Sequence, residues 1–303
     1  MDIKLGEAMD STSKVVSPVC PNTYQMSTTL GKIQYWGLLL LIFLLPLFFL
    51  PITTEFFDFQ KISLLVGGTI VLALVWALRG VVLGRLSFTT TVFDLPVVAL
   101  ALTLVLAGVL RTPNRMDAFL IPGTATIILV VTLLYFLITQ TLVNKPYAIR
   151  YMLYTLFLSG LVVALVSAAA STGLLESVTI LPPFMKQKVF SLVGAPLPTM
   201  TFLGALFVLV LGSIVRAVRA QQFLLSGLFV VLSAVFALSL GSVLLHAAPG
   251  KPAAPKVLPI GAGWAIATEA LKHSPFGVGP GNFIAGFMQY RPVEFNQTDM
   301  WNL

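Results

Sequence analysis

Apolar residues run along this chain in long unbroken stretches, and polar residues collect between them. The stretches cover residues 33–52, 62–83, 92–110, 121–143, 151–171, 199–218 and 223–246. Each is about 18–24 residues long, the length an α-helix needs to cross a hydrocarbon layer of about 30 Å. Inside that layer every backbone N–H and C=O must find a partner within the protein, which leaves helices or closed barrels. A barrel needs apolar and polar residues in alternation, and these runs have none. The pattern therefore predicts an all-α polytopic transmembrane bundle of about seven spans, over residues 33–246.

Local signals refine this outline. Tyr35 and Trp36 open the first span, where amphipathic rings favour the membrane interface. Pro46 is expected to kink that helix. The Ala, Ser and Gly residues of the fifth span suit close helix contact. Residues 1–32 mix Ser, Thr, Pro and charges without an apolar period, so they read as a disordered cytoplasmic tail. The first apolar run lacks a small-residue cleavage site and is expected to remain as a span. Residues 172–198 form a long loop, and 247–303 a polar, Pro/Gly-rich segment without a further span. No internal repeat is visible.

Composition agrees and removes several functions. The chain is 57% hydrophobic and 10% charged, with a mean hydropathy of +0.96, whereas soluble domains carry roughly 25% charged residues. A net charge of +7 in a soluble protein would suggest nucleic acid. Here the cations sit in short loops and anchor helix ends, so no nucleic-acid partner is expected. One cysteine, Cys20, excludes an internal disulfide, and two distant histidines, His246 and His273, make no metal cluster. No metal or cofactor is expected.

The same cations orient the chain. With the N-terminus inside, cytoplasmic segments hold nine (Lys4, Lys14, Lys32, Arg79, Arg85, Lys145, Arg150, Arg216 and Arg219). Short outside loops hold five (Lys61, Arg111, Arg115, Lys186 and Lys188). Short-loop cations prefer the cytoplasm, so the count favours a cytoplasmic N-terminus and an outside C-terminal segment.

That segment carries the one motif. Residues 259–273 place Trp264, Ala267, Ala270 and Leu271 on one face of a short amphipathic helix, ended by Pro275 and the glycines beyond it. Gly277, Gly279 and Gly281 then alternate with Val278 and Pro280 before Asn282 and Phe283. It is not a phosphate loop, since the Walker lysine is missing and no strand–turn–helix context surrounds it. Taken on spacing alone, the glycines favour a structural turn that lets backbone pack closely.

This run, from Trp264 through His273-Ser274-Pro275-Phe276-Gly277-Val278-Gly279-Pro280-Gly281-Asn282-Phe283, resembles the O-antigen ligase and polymerase superfamily of bacterial membrane proteins. There a comparable stretch lies in the large extracytoplasmic loop after several spans. A weaker echo is Lys188-Val189-Phe190-Ser191-Leu192-Val193-Gly194-Ala195-Pro196, ahead of the sixth span. The resemblance implies a protein of the bacterial cytoplasmic membrane, with an inverting transfer of a glycan from a polyprenyl diphosphate carrier to an acceptor glycan or glycolipid. It needs neither nucleotide sugar nor metal. Such chemistry needs cations on the diphosphate leaving group and a base at the acceptor hydroxyl. By that analogy Lys186, Lys188, Arg111, Arg115 and Arg291 are the candidate donor-binding cations, each otherwise an ordinary loop charge. Trp264, Pro275, Gly277, Gly279, Gly281 and Phe283 form the motif.

The chain also departs from the family. Lys188 stands where the family has an arginine, and keeps the charge without the bidentate fork. No cation lies between Lys256 and Trp264, where a second arginine is usual. The family's histidine base would fall beyond Leu303, so a C-terminal truncation is expected and no catalytic residue is assigned. His273, at a helix end, is better read as a dipole-favoured residue, His246 as an interfacial one, and Asp94, ahead of Pro96, as a helix cap. Two other classes stay open: a transporter of polar solutes, and a non-catalytic membrane relative. Against a transporter, no matched pair of broken helices and no mid-depth ionisable residue is visible.

Overall fold

The computed structural model describes residues 21–50, 57–84, 88–112, 115–120, 124–142, 145–248, 250–255, 257–293 and 295. Ten α-helices occur among them: α1 (Pro21–Leu47), α2 (Asp58–Leu83), α3 (Asp94–Arg111), α4 (Arg115–Leu120), α5 (Ala125–Leu142), α6 (Pro146–Ser171), α7 (Pro196–Arg219), α8 (Phe223–His246), α9 (Ile260–His273) and α10 (Phe283–Tyr290). A 3-10 turn, Pro183–Lys186, interrupts the loop before α7. No strand occurs among the described residues. Among the described residues, seven segments are long and apolar enough to cross a membrane, the fourth of them Ala118–Leu142. The protein is an all-α polytopic bundle.

Side-chain pairings fix the helix directions. Gly37 of α1 lies against Leu72 of α2, and Gly68 of α2 against Leu41 of α1, so these helices run antiparallel. Each glycine receives the other helix's leucine, a close contact in which packing rather than water exclusion holds helices in lipid. Gln34 at the middle of α1 donates through Nε2 to Thr141 Oγ1 near the end of α5, 2.9 Å away. In α6 and α8, Phe157 meets Phe229 and Ala164 O accepts from Ser239 Oγ, so those two run parallel. The α1 start, α2 end, α3 start, α5 end, α6 start, α7 end and α8 start therefore share one end of the bundle, here the near end. The opposite helix ends make up the far end.

Two apolar clusters form the core. The larger joins α6, α7 and α8 through Phe157, Val163, Leu203, Leu206, Val210 and Phe236. The smaller joins α1, α2 and α5 through Leu38, Leu41, Leu72 and Leu137. The α3 helix packs on α4 and α5 at the side of the bundle.

Several expectations need correction. Of the tail expected over 1–32, residues 1–20 lie outside the described residues, and 21–32 are helical. This stretch has no apolar period, yet it packs inward. Ser27 is buried, and a Cβ on Gly31 would lie 3.3 Å from the Arg79 guanidinium carbon on α2. Hydropathy misses a helix held by polar contacts and a small residue. Pro46 does not kink a mid-span position. It falls in the last turn of α1, which ends at Leu47, so the missing N–H coincides with termination. Asp94 is the first residue of α3 and caps nothing at its own helix start. Its carboxylate instead accepts from Thr91 N (2.8 Å), Thr91 Oγ1 (2.6 Å) and Tyr135 OH of α5 (2.9 Å).

Candidate functional site at the far end

The glycine-rich motif forms a turn between α9 and α10. Gly277 N donates to Ser274 O at 2.9 Å and Asn282 N to Gly279 O at 3.3 Å. Gly277, Gly279 and Gly281 have φ of 69°, 84° and 86°, a region that costs an L-residue roughly 1–2 kcal/mol. Three such residues in alternation fold the chain back so that α10 lies on α9. Gly286 of α10 receives Val278, whose Cγ atoms lie 3.1 Å from where a Cβ would stand.

This turn docks on the end of α3. A Cβ on Gly279 would lie 2.5 Å from Thr112 Oγ1, 3.1 Å from Thr112 N and 3.3 Å from Ala107 O. Pro280 touches Gly108, and Thr112 Oγ1 donates a long bond, 3.5 Å, to Pro280 O. The glycine at 279 is therefore explained twice, by backbone conformation and by close approach. Arg111 and Arg115 flank this contact, Arg111 closing α3 and Arg115 opening α4, both exposed. Two candidate cations thus flank Thr112 in sequence.

The other candidates are placed differently. Lys186 ends the 3-10 turn, half-buried, and Lys188 is exposed. Their segment is held against the α1–α2 corner, where Phe190 packs with Phe49, Phe57 and Phe184. Lys61 of α2 donates through Nζ to Leu192 O at 2.7 Å and also to Val193 O, with Phe57 5.5 Å below it. Arg291 follows α10, its guanidinium 5.7 Å from the Phe287 ring. Its expected partner Glu294 lies outside the described residues, as does Lys256. The cations thus occupy the far end as separate groups.

The motif's aromatic residues behave unlike the expected helix face. The α9 helix buries Ala262, Ile266 and Ala270, four residues apart, and leaves Trp264 72% and Leu271 53% exposed. Phe283 and Pro275 are also exposed. Beside the turn, Glu269 takes an ion pair from Lys272 at 2.7 Å, and His273 stacks on Tyr290 with ring centres 5.6 Å apart. The Lys272 hydrogen bond and charge, then His273, hold the Glu269 carboxyl below its ordinary range. His246 bonds its own helix, Nδ1 to Ser242 O at 2.8 Å, as suits a helix end. No group of His, Cys, Asp and Glu that would hold a metal occurs among the described residues.

Sequence reasoning missed Thr112 and Lys61. Thr112 carries no signal, because its role depends on a partner 168 residues away. Lys61 did carry one: a lysine in the first turn of an apolar span needs a reason to be there.

Fold and far-end geometry together define a multi-pass helical membrane protein with a folded segment seated on one end. No family model, curated protein or solved structure matches the chain.

Proposed function

We propose that this chain is an O-antigen ligase-like protein of the bacterial cytoplasmic membrane. In this reading it moves a glycan from a polyprenyl diphosphate carrier to an acceptor glycan or glycolipid on the extracytoplasmic side. The observation that carries the reading is the seating of the Gly277–Gly281 turn on Thr112, the residue that follows Arg111 in the chain. A motif that resembles the family's thereby borders exposed arginines at a bundle end. Supporting it, the cation count sends that end outward, where lipid-linked glycans are presented.

The chemistry asks for a defined division of labour. The acceptor oxygen attacks the anomeric carbon while the bond from that carbon to the diphosphate oxygen breaks, with inversion. The acceptor's proton passes to a base, a role assigned to no described residue. Negative charge grows on the departing diphosphate, and Arg111 and Arg115 offer planar forks that bind such oxygens two at a time.

The test is transfer in a membrane preparation of the full-length protein, supplied with a polyprenyl-diphosphate-linked oligosaccharide. Replacing Arg111 and Arg115 by alanine is expected to lower transfer by about tenfold or more per arginine, the size of a lost charge-assisted bond. Undiminished transfer after joint alanine replacement of Arg111, Arg115, Lys188 and Arg291 would overturn the donor site.

A further inference from the structure

A cavity lies at the opposite end from the motif. It occupies about 740 Å³ between the start of α6, the end of α7 and the start of α8. Its origin is in the packing. The α7 and α8 helices touch along their lengths, whereas α6 and α7 meet closely at Gly160, where Leu206 fills the space a side chain would take. Nearer the near end the space between α6 and α7 is open, and Gly212 leaves it so, because nothing lies within 4 Å of where its Cβ would stand.

The lining has two chemistries. At the mouth are Arg150 and Arg216, both exposed, and neither is in an ion pair among the described residues. No acidic residue is among the described residues that line the cavity. Deeper, the walls are Leu153, Phe157 and Phe229, with Val208 exposed along the same slot. The lining runs from Tyr147 to Phe157 on α6 and from Ala220 back to Val208 on α7. At 1.5 Å per residue this is about 15–18 Å of helix. A soluble anion would use the mouth and leave the greasy depth empty. A charged head joined to a hydrocarbon chain fits both.

We propose that this cavity binds one anionic phospholipid from the leaflet at the near end. Its phosphate lies on Arg150 and Arg216, and an acyl chain lies along Val208, Gly212 and Phe229. Arginine forks recognise phosphate bidentately, and an apolar slot between helices selects a molecule rather than a diffuse surface charge. The site stands independently of glycan transfer, on other helices and at the other end.

The experiment uses the delipidated full-length protein, with native mass spectrometry reading bound lipid. The probes are dioleoylphosphatidylglycerol, dioleoylphosphatidylcholine of the same chains, and inorganic phosphate as competitor. One phosphatidylglycerol is expected to be retained with a preference of about thirtyfold, the value of two cations near a lipid phosphate. R150Q/R216Q should abolish the preference. G212L, which grows into open space with both arginines intact, should weaken both lipids. Equal retention of the two lipids, retention unchanged by G212L, or displacement by millimolar phosphate would each overturn the proposal.

Discussion

Replacing Gly279 by alanine separates two reasons for a glycine, because Gly277 two residues earlier shares one of them. Both have positive φ, and an alanine at either should cost about 1–2 kcal/mol in backbone strain. Gly277 has nothing within 4 Å of its Cβ position, so strain is its whole cost. Gly279 would also drive its methyl to 3.1 Å from Thr112 N and 3.3 Å from Ala107 O, backbone atoms at the end of α3 that cannot rotate away. Overpacking of this kind adds about 1–3 kcal/mol. The long Thr112–Pro280 bond that opposes it is worth no more than about 1 kcal/mol. Gly279→Ala should therefore undock the turn, while Gly277→Ala should only loosen it. Hydrogen exchange at the Asn282 amide, bonded to Gly279 O, reads the difference. Each 1.4 kcal/mol is a factor of ten in the open population, so Gly279→Ala should exchange about tenfold faster or more than Gly277→Ala. Adding Thr112→Ala removes the nearest clash, at 2.5 Å, but leaves the two backbone contacts, so it should restore protection only in part. Equal exchange in the two alanine variants would refute the docking.

Three further predictions test the frame around the site. Gly160→Ala sets a methyl 2.0 Å from Leu206 Cδ1, which is buried; unfolding in mixed detergent should show a loss of about 1–2 kcal/mol, and Leu206→Ala in the same chain should offset part of it. Additive costs would mean the two side chains do not meet. Lys61→Met leaves the Leu192 and Val193 carbonyls without their donor and should cost about 1–3 kcal/mol, with faster proteolysis of the 183–194 loop as the local reading. Glu269, its carboxyl held low chiefly by Lys272, supports α9 fully above the ordinary carboxylate range and loses that support as pH falls through its lowered value. Exchange at the α9 amides should rise on acidification there, and Glu269→Gln should flatten the dependence.

The spans were legible because lipid imposes one rule on every residue inside it. A run of apolar side chains at least 18 long has one stable conformation there, and α8 coincides with its run from Phe223 to His246. Legibility failed wherever a helix is held by individual partners instead. The first half of α1 is held where Gly31 meets Arg79 and where Gln34, at its midpoint, meets Thr141, which no window of hydropathy registers. The candidate site divides in the same way. Its glycines were readable as a turn, since alternation at 277, 279 and 281 has few other uses. What the turn rests on was not readable, because Thr112 is an ordinary loop threonine until the fold brings Pro280 to it. The buried face of α9 was misread for a related reason. Periodicity puts Trp264 and Ala262 on candidate faces, and the fold buries Ala262 and leaves Trp264 exposed.

These contacts give α3 a particular place in the molecule. Its apolar flank packs on α5, in surroundings where such contact gains little over contact with lipid chains. Its position is therefore set by polar bonds, which have no competing water inside the bilayer. At the near end, Asp94 ties to Tyr135, and Gln140 clamps Thr89 from both sides, accepting from Thr89 N at 3.0 Å and donating to Thr89 O at 2.9 Å. At the far end the fixing is weaker, one long bond and the Gly279 contact. A helix pinned firmly at one end and lightly at the other passes small displacements to its light end. Arg111 sits at that light end, so its distance from the motif is set by how the glycine turn is seated. Tyr135→Phe should then disturb Arg111 less than Gly279→Ala does, even though it removes the stronger bond. A spin label at Arg111 broadened more by Tyr135→Phe than by Gly279→Ala would show that α3 takes its position from α5 alone.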